Sequence, residues 1–317
     1  MLPAQKVTTI MDIKHKIRMF RNFGFKVGFS SACSSALRWP MAITRWKDRS
    51  ILDWLREKYS TVIQAHTQNP VQAAPTNGTP PAIWSVWWQG EDHAPEIVKV
   101  CFSAVNKHKG SHPFRIITRD NFREYVDLPE HITRKVQDGT MSFTHFSDIL
   151  RVYLLYHYGG LWLDSTMLVV DDIPEEIFRR EYFSIKSGFN PKSFSVPMGR
   201  WTSFCQAAHK GSMLCGFALD LHVEYWKEQT MPVDYILIDY IYALAYEEFP
   251  KCRELLDSVP VNNRDTENLM PILNQKWDAQ KFAALSSATR FFKLSWKHKF
   301  VKEIAGHETF YGHLSAK

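Results

Sequence analysis

Residues 145–167 read HFSDILRVYLLYHYGGLWLDSTM. An apolar run with helical spacing carries one polar triplet, His145, Asp148 and Arg151, and stops at Gly159-Gly160. At about 100° per residue the three polar side chains share a face, which turns apolar further along at Val152 and Leu155. The spacing predicts a helix over 144–157 that is buried nearly all round, with its charges confined to the N-terminal end. Buried charge is costly unless paired, so Asp148 and Arg151 either satisfy each other or line a polar pocket. The glycine pair ends the helix and turns the chain into a short strand, LWLD. Asp164 then emerges at the carboxyl end of that strand beside Ser165 and Thr166. A carboxylate there is either a turn residue or, with its hydroxyl neighbours, a ligand for a hard divalent cation.

Working outward, IWSVWWQG (83–90) reads as a buried strand, APEIVKVCFSAVNKH (94–108) as a helix and FRIITRDN (114–121) as a second strand. Strand, helix and strand in about forty residues make a βαβ unit, which implies a parallel sheet covered on both faces. Open sheets of this kind bind ligands at the carboxyl ends of their strands. Three polar strand ends therefore converge as candidates: Gln89-Gly90, residues 118–121, and Asp164-Ser165-Thr166. Further on, YFSIKSGFN suggests a strand, MGRWTSFCQAAHKG loops leading to a helix, and YILIDYIYALAYEEF (235–249) a helix with Asp239 inside an apolar run.

The chain has 317 residues, 45% hydrophobic and 14% aromatic, enough for one large domain or a domain plus an extension, and too apolar for a disordered chain. The first fifty residues hold ten Lys or Arg against two Asp, so a total of +6 leaves about −2 for the rest. Basicity thus belongs to an N-terminal segment, read as a helical extension (1–65) and followed by a linker, HTQNPVQAAPTNGTPPA (66–82). Within it Lys14, Lys16, Arg18, Arg21 and Lys26 interleave with Ile17, Met19, Phe20, Phe23 and Phe25. That mixture suits either an anionic membrane surface, through residues 1–50, or a solvated extension packed on the domain. No nucleic-acid-binding motif accompanies the charge. No apolar run reaches the roughly 18 residues of a spanning helix. The five cysteines are scattered, without a CxxC pair, as in a chain with reduced thiols. The expected location is the cytoplasm, peripheral at the inner face of the membrane.

The stretch HFSDILRVYLLYHYGGLWLDST resembles the central signature of nucleotide-sugar glycosyltransferases of the capsular polysaccharide synthesis family. That family is related to the DxD sugar-binding-region transferases of GT-A fold, family 32-like. IWSVWWQG with the following helix and IITRDN resembles the family's opening block. GRWTSF, the ILIDYIYALAY helix and the late FKLSWK element fit as well, so the resemblance covers about residues 81–317. It implies an α/β, Rossmann-like, mostly parallel sheet flanked by helices over 83–317. It also implies transfer, with retention, of a sugar from a nucleoside diphosphate donor, expected to be UDP-linked, to a polysaccharide or lipid-linked glycan. The base would lie near Trp87 or Trp88 and Asn121, the ribose by Trp162, and the sugar on Asp148 and Arg151. Asp164 would be the first acid of the DxD element, with Ser165 beside it and Thr166 in the place of the second acid. Mn²⁺ or Mg²⁺ would be the cofactor, held by Asp164 and Thr166, with His307 or His313 from GHETFYGHL completing the shell. Asp148 or Asp239 would stabilise oxocarbenium character. The competing reading is a non-catalytic binding or scaffolding protein of a polysaccharide assembly, motivated by Thr166.

Overall fold

The computed structural model describes residues 13–36, 40–69, 73–74 and 80–316. The βαβ unit is formed by strand β1 (Ile83–Val86), the helix Glu96–His108 and strand β2 (Phe114–Ile117), with β1 and β2 parallel. Strand β3 (Gly160–Leu163) lies parallel on the other side of β1, pairing Leu161 with Ile83 and Trp162 with Trp84. Strand β4 (Met167–Val169) leaves this sheet. Strands β5 (Tyr182–Ser184) and β6 (Cys205–Ala208) complete it in the order β2-β1-β3-β6-β5. Strand β6 is antiparallel to both neighbours, so four strands run one way and β6 opposes them. The mostly parallel α/β sheet flanked by helices is the architecture expected. Strand β6 falls where loops leading to a helix were expected: Cys-Gln-Ala-Ala carries no β-branched side chain, and burial between β3 and β5 imposes the extended form.

The central helix runs Phe143–Tyr158. Ser142 caps it by accepting the His145 N–H. Gly159 and Gly160 end it with positive φ of 70° and 103°. A Cβ on Gly160 would stand 2.1 Å from the Ala82 carbonyl oxygen, so no other residue lets β3 start this close to the entry of β1.

The N-terminal segment differs from the expected extension and linker. The helix Met41–Lys58 and the helix Ser60–Gln68 belong to the body of the fold. Ile51, Leu55 and Tyr59 are buried in the same core as the sheet. The basic face of the first of these helices lies on acids of the helix Leu237–Glu248 and the loop before it. Lys47 pairs with Asp234 at 2.9 Å, Arg49 with Glu247 at 2.8 Å and Arg56 with Glu248 at 2.5 Å. Part of the basic surplus, Lys47 and Arg49, is therefore neutralised internally. Residues 66–68 continue a helix where the linker was expected to begin, and most of the remaining linker lies outside the described residues. Lys14's side chain also lies outside them. Among the described residues no helix is long and apolar enough to cross a membrane.

Candidate functional site

Because β1, β2 and β3 are parallel, their carboxyl ends open on one edge of the sheet, and a cleft of about 480 Å³ lies there. Trp87, Trp88 and Gln89 after β1, Asp164, Ser165 and Thr166 after β3, and Asp148 and Arg151 from the helix at 143–158 line it. Strand alternation predicts only one of Trp87 and Trp88 in the cleft. Both line it, because β1 ends at Val86 and the two tryptophans sit in the turn beyond. Trp88 packs against Phe122, Phe143 and Phe146, and Trp87 meets the edge of Trp296 at 5.9 Å. The exposed rings of Phe143, Tyr235 and Trp296 also line the cleft.

Arg151 joins both carboxylates: one end of its guanidinium donates to Asp148 at 2.6 Å, the other to Asp164 at 2.9 Å. The two alternatives for the Asp148–Arg151 pair are thus both realised, since the pair is satisfied and faces the cleft. The Trp162 indole donates to the same Asp164 oxygen at 2.9 Å, with Arg151 over its ring face at 5.1 Å. The second Asp164 oxygen accepts from the Lys293 ammonium at 2.9 Å, and Thr166 Oγ accepts from it at 2.8 Å. Strand β7 (Phe291–Lys293) supplies that lysine, because it pairs antiparallel with β4 in a register that sets Lys293 opposite Met167.

The electrostatics follow from this sharing. Burial works to raise the Asp164 carboxyl's pKa, but Lys293 and Arg151 outweigh it and hold the group well below the usual carboxylate range. Asp148 shifts the other way: burial raises it, Arg151 offsets only part, and the neighbouring Asp164 adds to the rise. Two carboxylates on one guanidinium are thereby driven apart, Asp164 firmly anionic and Asp148 readily protonated.

A family model described as capsular polysaccharide synthesis protein matches residues 41–314. The chain belongs to that family. The match begins forty residues before the resemblance read from the motifs, at the start of the helix Met41–Lys58 that the fold shows to be part of the body. No curated protein matches the chain. Among solved structures, one titled PaToxG Glycosyltransferase is similar at a TM-score of 0.40 and 14% identity, covering 69% of this chain and 89% of that one. That likeness is too distant to transfer anything about the site.

Several residues expected at the ligand stand elsewhere. Asn121 holds its own turn: its side-chain oxygen accepts from the Thr118 N–H and its amide donates to the Ile116 carbonyl. Trp162 is fully buried, so it supports Asp164 and Arg151 from beneath and does not reach a ribose. His307 is exposed on a two-residue hairpin strand, and His313 stacks on Trp277 at 3.8 Å while contacting Glu308. Neither histidine lines the cleft. Asp239 lines a second cleft of about 520 Å³, where it accepts from the Trp201 indole at 3.1 Å.

The donor set does not fit the expected Mn²⁺ or Mg²⁺. Such ions want about six oxygen ligands in near-octahedral array. One Asp164 oxygen already accepts two N–H groups, and the other faces an ammonium that also holds Thr166. Among the described residues no group of three His, Cys, Asp or Glu could hold a metal ion. Lys293, Trp296 and Lys297 of the late FKLSWK element line this cleft as well, beyond the site residues expected from the sequence. The available signal was a basic residue in a late element combined with the missing second acid at Thr166.

Asp239 yields a test by pH. Burial raises its pKa to about 6, against smaller opposing effects of the Trp201 N–H and Arg151. The folded state therefore keeps a proton that the unfolded chain releases, and stability falls as pH rises from about 4 through about 6. Asp239→Asn removes that slope and should gain about 3 kcal/mol over wild type at pH ~8 but little at pH ~4. Urea unfolding at both values checks it; parallel pH profiles for the two proteins would contradict it.

Proposed function

We propose that the chain is a glycosyltransferase that moves a sugar, with retention, from a nucleoside diphosphate donor, expected to be UDP-linked, to a polysaccharide or lipid-linked glycan acceptor. The observation that carries this reading is the Arg151–Asp164–Lys293 cluster at the carboxyl edge of the sheet, in a cleft walled by aromatic rings. Rings accept bases and sugar faces, cations accept phosphates, and carboxylates accept sugar hydroxyls. Family membership supports the same substrate class. The acceptor fits the second cleft, whose wall is rich in hydroxyls and amides, including Ser187, Asn190, Thr202, Ser203 and Asn268. The two clefts adjoin: Asp164 N–H donates to the Phe204 carbonyl, and Tyr235 and Ile236 line one each.

In this reading the anomeric C–O bond breaks with its electron pair left on the departing diphosphate. The acceptor oxygen bonds the anomeric carbon on the same face, and its proton passes to the diphosphate. Asp148 and Arg151 hold sugar hydroxyls, and Asp239, on the acceptor side, stabilises the cationic sugar when ionised. Trp87→Ala and Trp88→Ala should each weaken nucleotide binding by about 1–3 kcal/mol. Calorimetric titration checks both, and an unchanged affinity removes that ring from the donor's place. Incubation with a panel of nucleotide sugars tests the function. Turnover of one donor supports transfer, and tight binding without turnover supports a scaffolding protein, which the missing second acid at Thr166 favours.

We further infer a peripheral position at an anionic membrane surface, on the cytoplasmic side. Phe25, 73% exposed, stacks on Phe29, which meets Trp46, and Arg21 and Lys26 are exposed nearby. Lys26 pairs with Asp53 at 2.7 Å, so Arg21 carries the exposed positive charge beside these rings. Since residues 41–68 belong to the core, truncation is not a clean test, whereas Phe25→Asp with Phe29→Asp leaves the core intact. The double variant should lose binding to phosphatidylserine vesicles, and wild-type binding should weaken with salt, as charges are screened over about 8 Å at physiological ionic strength. Full-length protein that stays in the supernatant at low salt would contradict the placement.

A further inference from the structure

We propose that Lys293 is the cation for the donor's diphosphate, so that this protein binds its nucleoside diphosphate without a divalent metal. The inference rests on the glycosyltransferase reading. An ammonium has three donors; two are spent on Asp164 and Thr166, and the third is left for a ligand in the cleft that Lys293 lines. Its side chain is 25% exposed and sits over the face of Phe204 at 5.3 Å. The position is built in: β7 is fixed by its pairing with β4, and the Leu294 N–H donates to the Thr166 carbonyl at 2.9 Å.

The same contacts explain Thr166. A second carboxylate there would suit a divalent ion, whereas a hydroxyl accepts from an ammonium without adding charge that would have to be neutralised. Lys297 lines the cleft as well, so Arg151, Lys293 and Lys297 face Asp164 and a readily protonated Asp148. That balance leaves positive charge for a polyanion. When the anomeric bond breaks and the diphosphate keeps the electron pair, a fixed ammonium offsets the charge it gains.

The test titrates UDP, GDP, CDP and ADP, and the corresponding nucleosides, into the full chain in EDTA and again in Mn²⁺. One diphosphate should bind in EDTA, with its Kd changed less than about 3-fold by Mn²⁺, and Lys293→Met should weaken it at least about 10-fold while leaving the nucleoside unchanged. Lys293→Arg should restore most of the affinity, which a merely structural lysine would not require, and thermal unfolding of each variant confirms that it is folded. Binding that appears only with Mn²⁺, or Lys293→Met that binds as well as wild type or gains affinity for Mn²⁺ and diphosphate together, would overturn the assignment alone. Absence of binding by all four diphosphates in both buffers would overturn the glycosyltransferase reading together with it.

Discussion

Asp164→Asn should lower transfer by at least about 100-fold, the scale on which removing one preorganised electrostatic group acts. Asn keeps the shape and leaves the Trp162 contact available, but it withdraws the charge that fixes both Arg151 and Lys293. Two cations would then stand over the cleft without the anion that aims them. Diphosphate affinity should fall less than turnover, because the positive charge itself remains. The fold should survive, since the Asp164 side chain is 25% exposed and closes the sheet edge without filling its core. Turnover by the Asn variant near the wild-type rate, in EDTA or with saturating Mn²⁺, would contradict the proposed role.

Arg151→Ala should have the largest effect on stability. The guanidinium is buried and neutralises two carboxylates, and its loss leaves Asp148 at the end of a core helix with no charged partner. Breaking a buried pair from one side costs about 3–5 kcal/mol. The cost should shrink at low pH, because Asp148 already tends to take up a proton in the fold and its neutral form needs no counter-charge. Urea unfolding at pH ~5 and ~8 checks this; a loss independent of pH, or one under about 1 kcal/mol, would show that Arg151 is not the keystone of the cluster.

Much of the site was legible in residues 145–167, because helix periodicity and strand ends both translate spacing into direction. His145, Asp148 and Arg151 do share a face, and Asp164 does emerge at the carboxyl edge. What spacing does not encode is contact between distant segments. Lys293 lies 129 residues from Asp164 and reaches it only because β7 pairs with β4. Asn121 follows a strand, as a ligand residue would, yet its amide is consumed by its own turn. Trp162 occupies the expected neighbourhood, but alternation along β3 points it beneath the cleft, into the core. The basic N-terminal helices read as an extension because local composition does not reveal the distant acids, Asp234, Glu247 and Glu248, that meet them.

Turnover of a nucleoside diphosphate sugar in the cleft at the sheet's carboxyl edge releases free nucleoside diphosphate, which can be followed directly. Purified full-length protein is incubated with a panel of nucleotide sugars and release of free nucleoside diphosphate is followed, with Asp164→Asn in parallel. The prediction is release from one donor by the wild type in EDTA, lost in the Asn variant. Release from none of the donors with or without Mn²⁺, or equal release by both proteins, would contradict it.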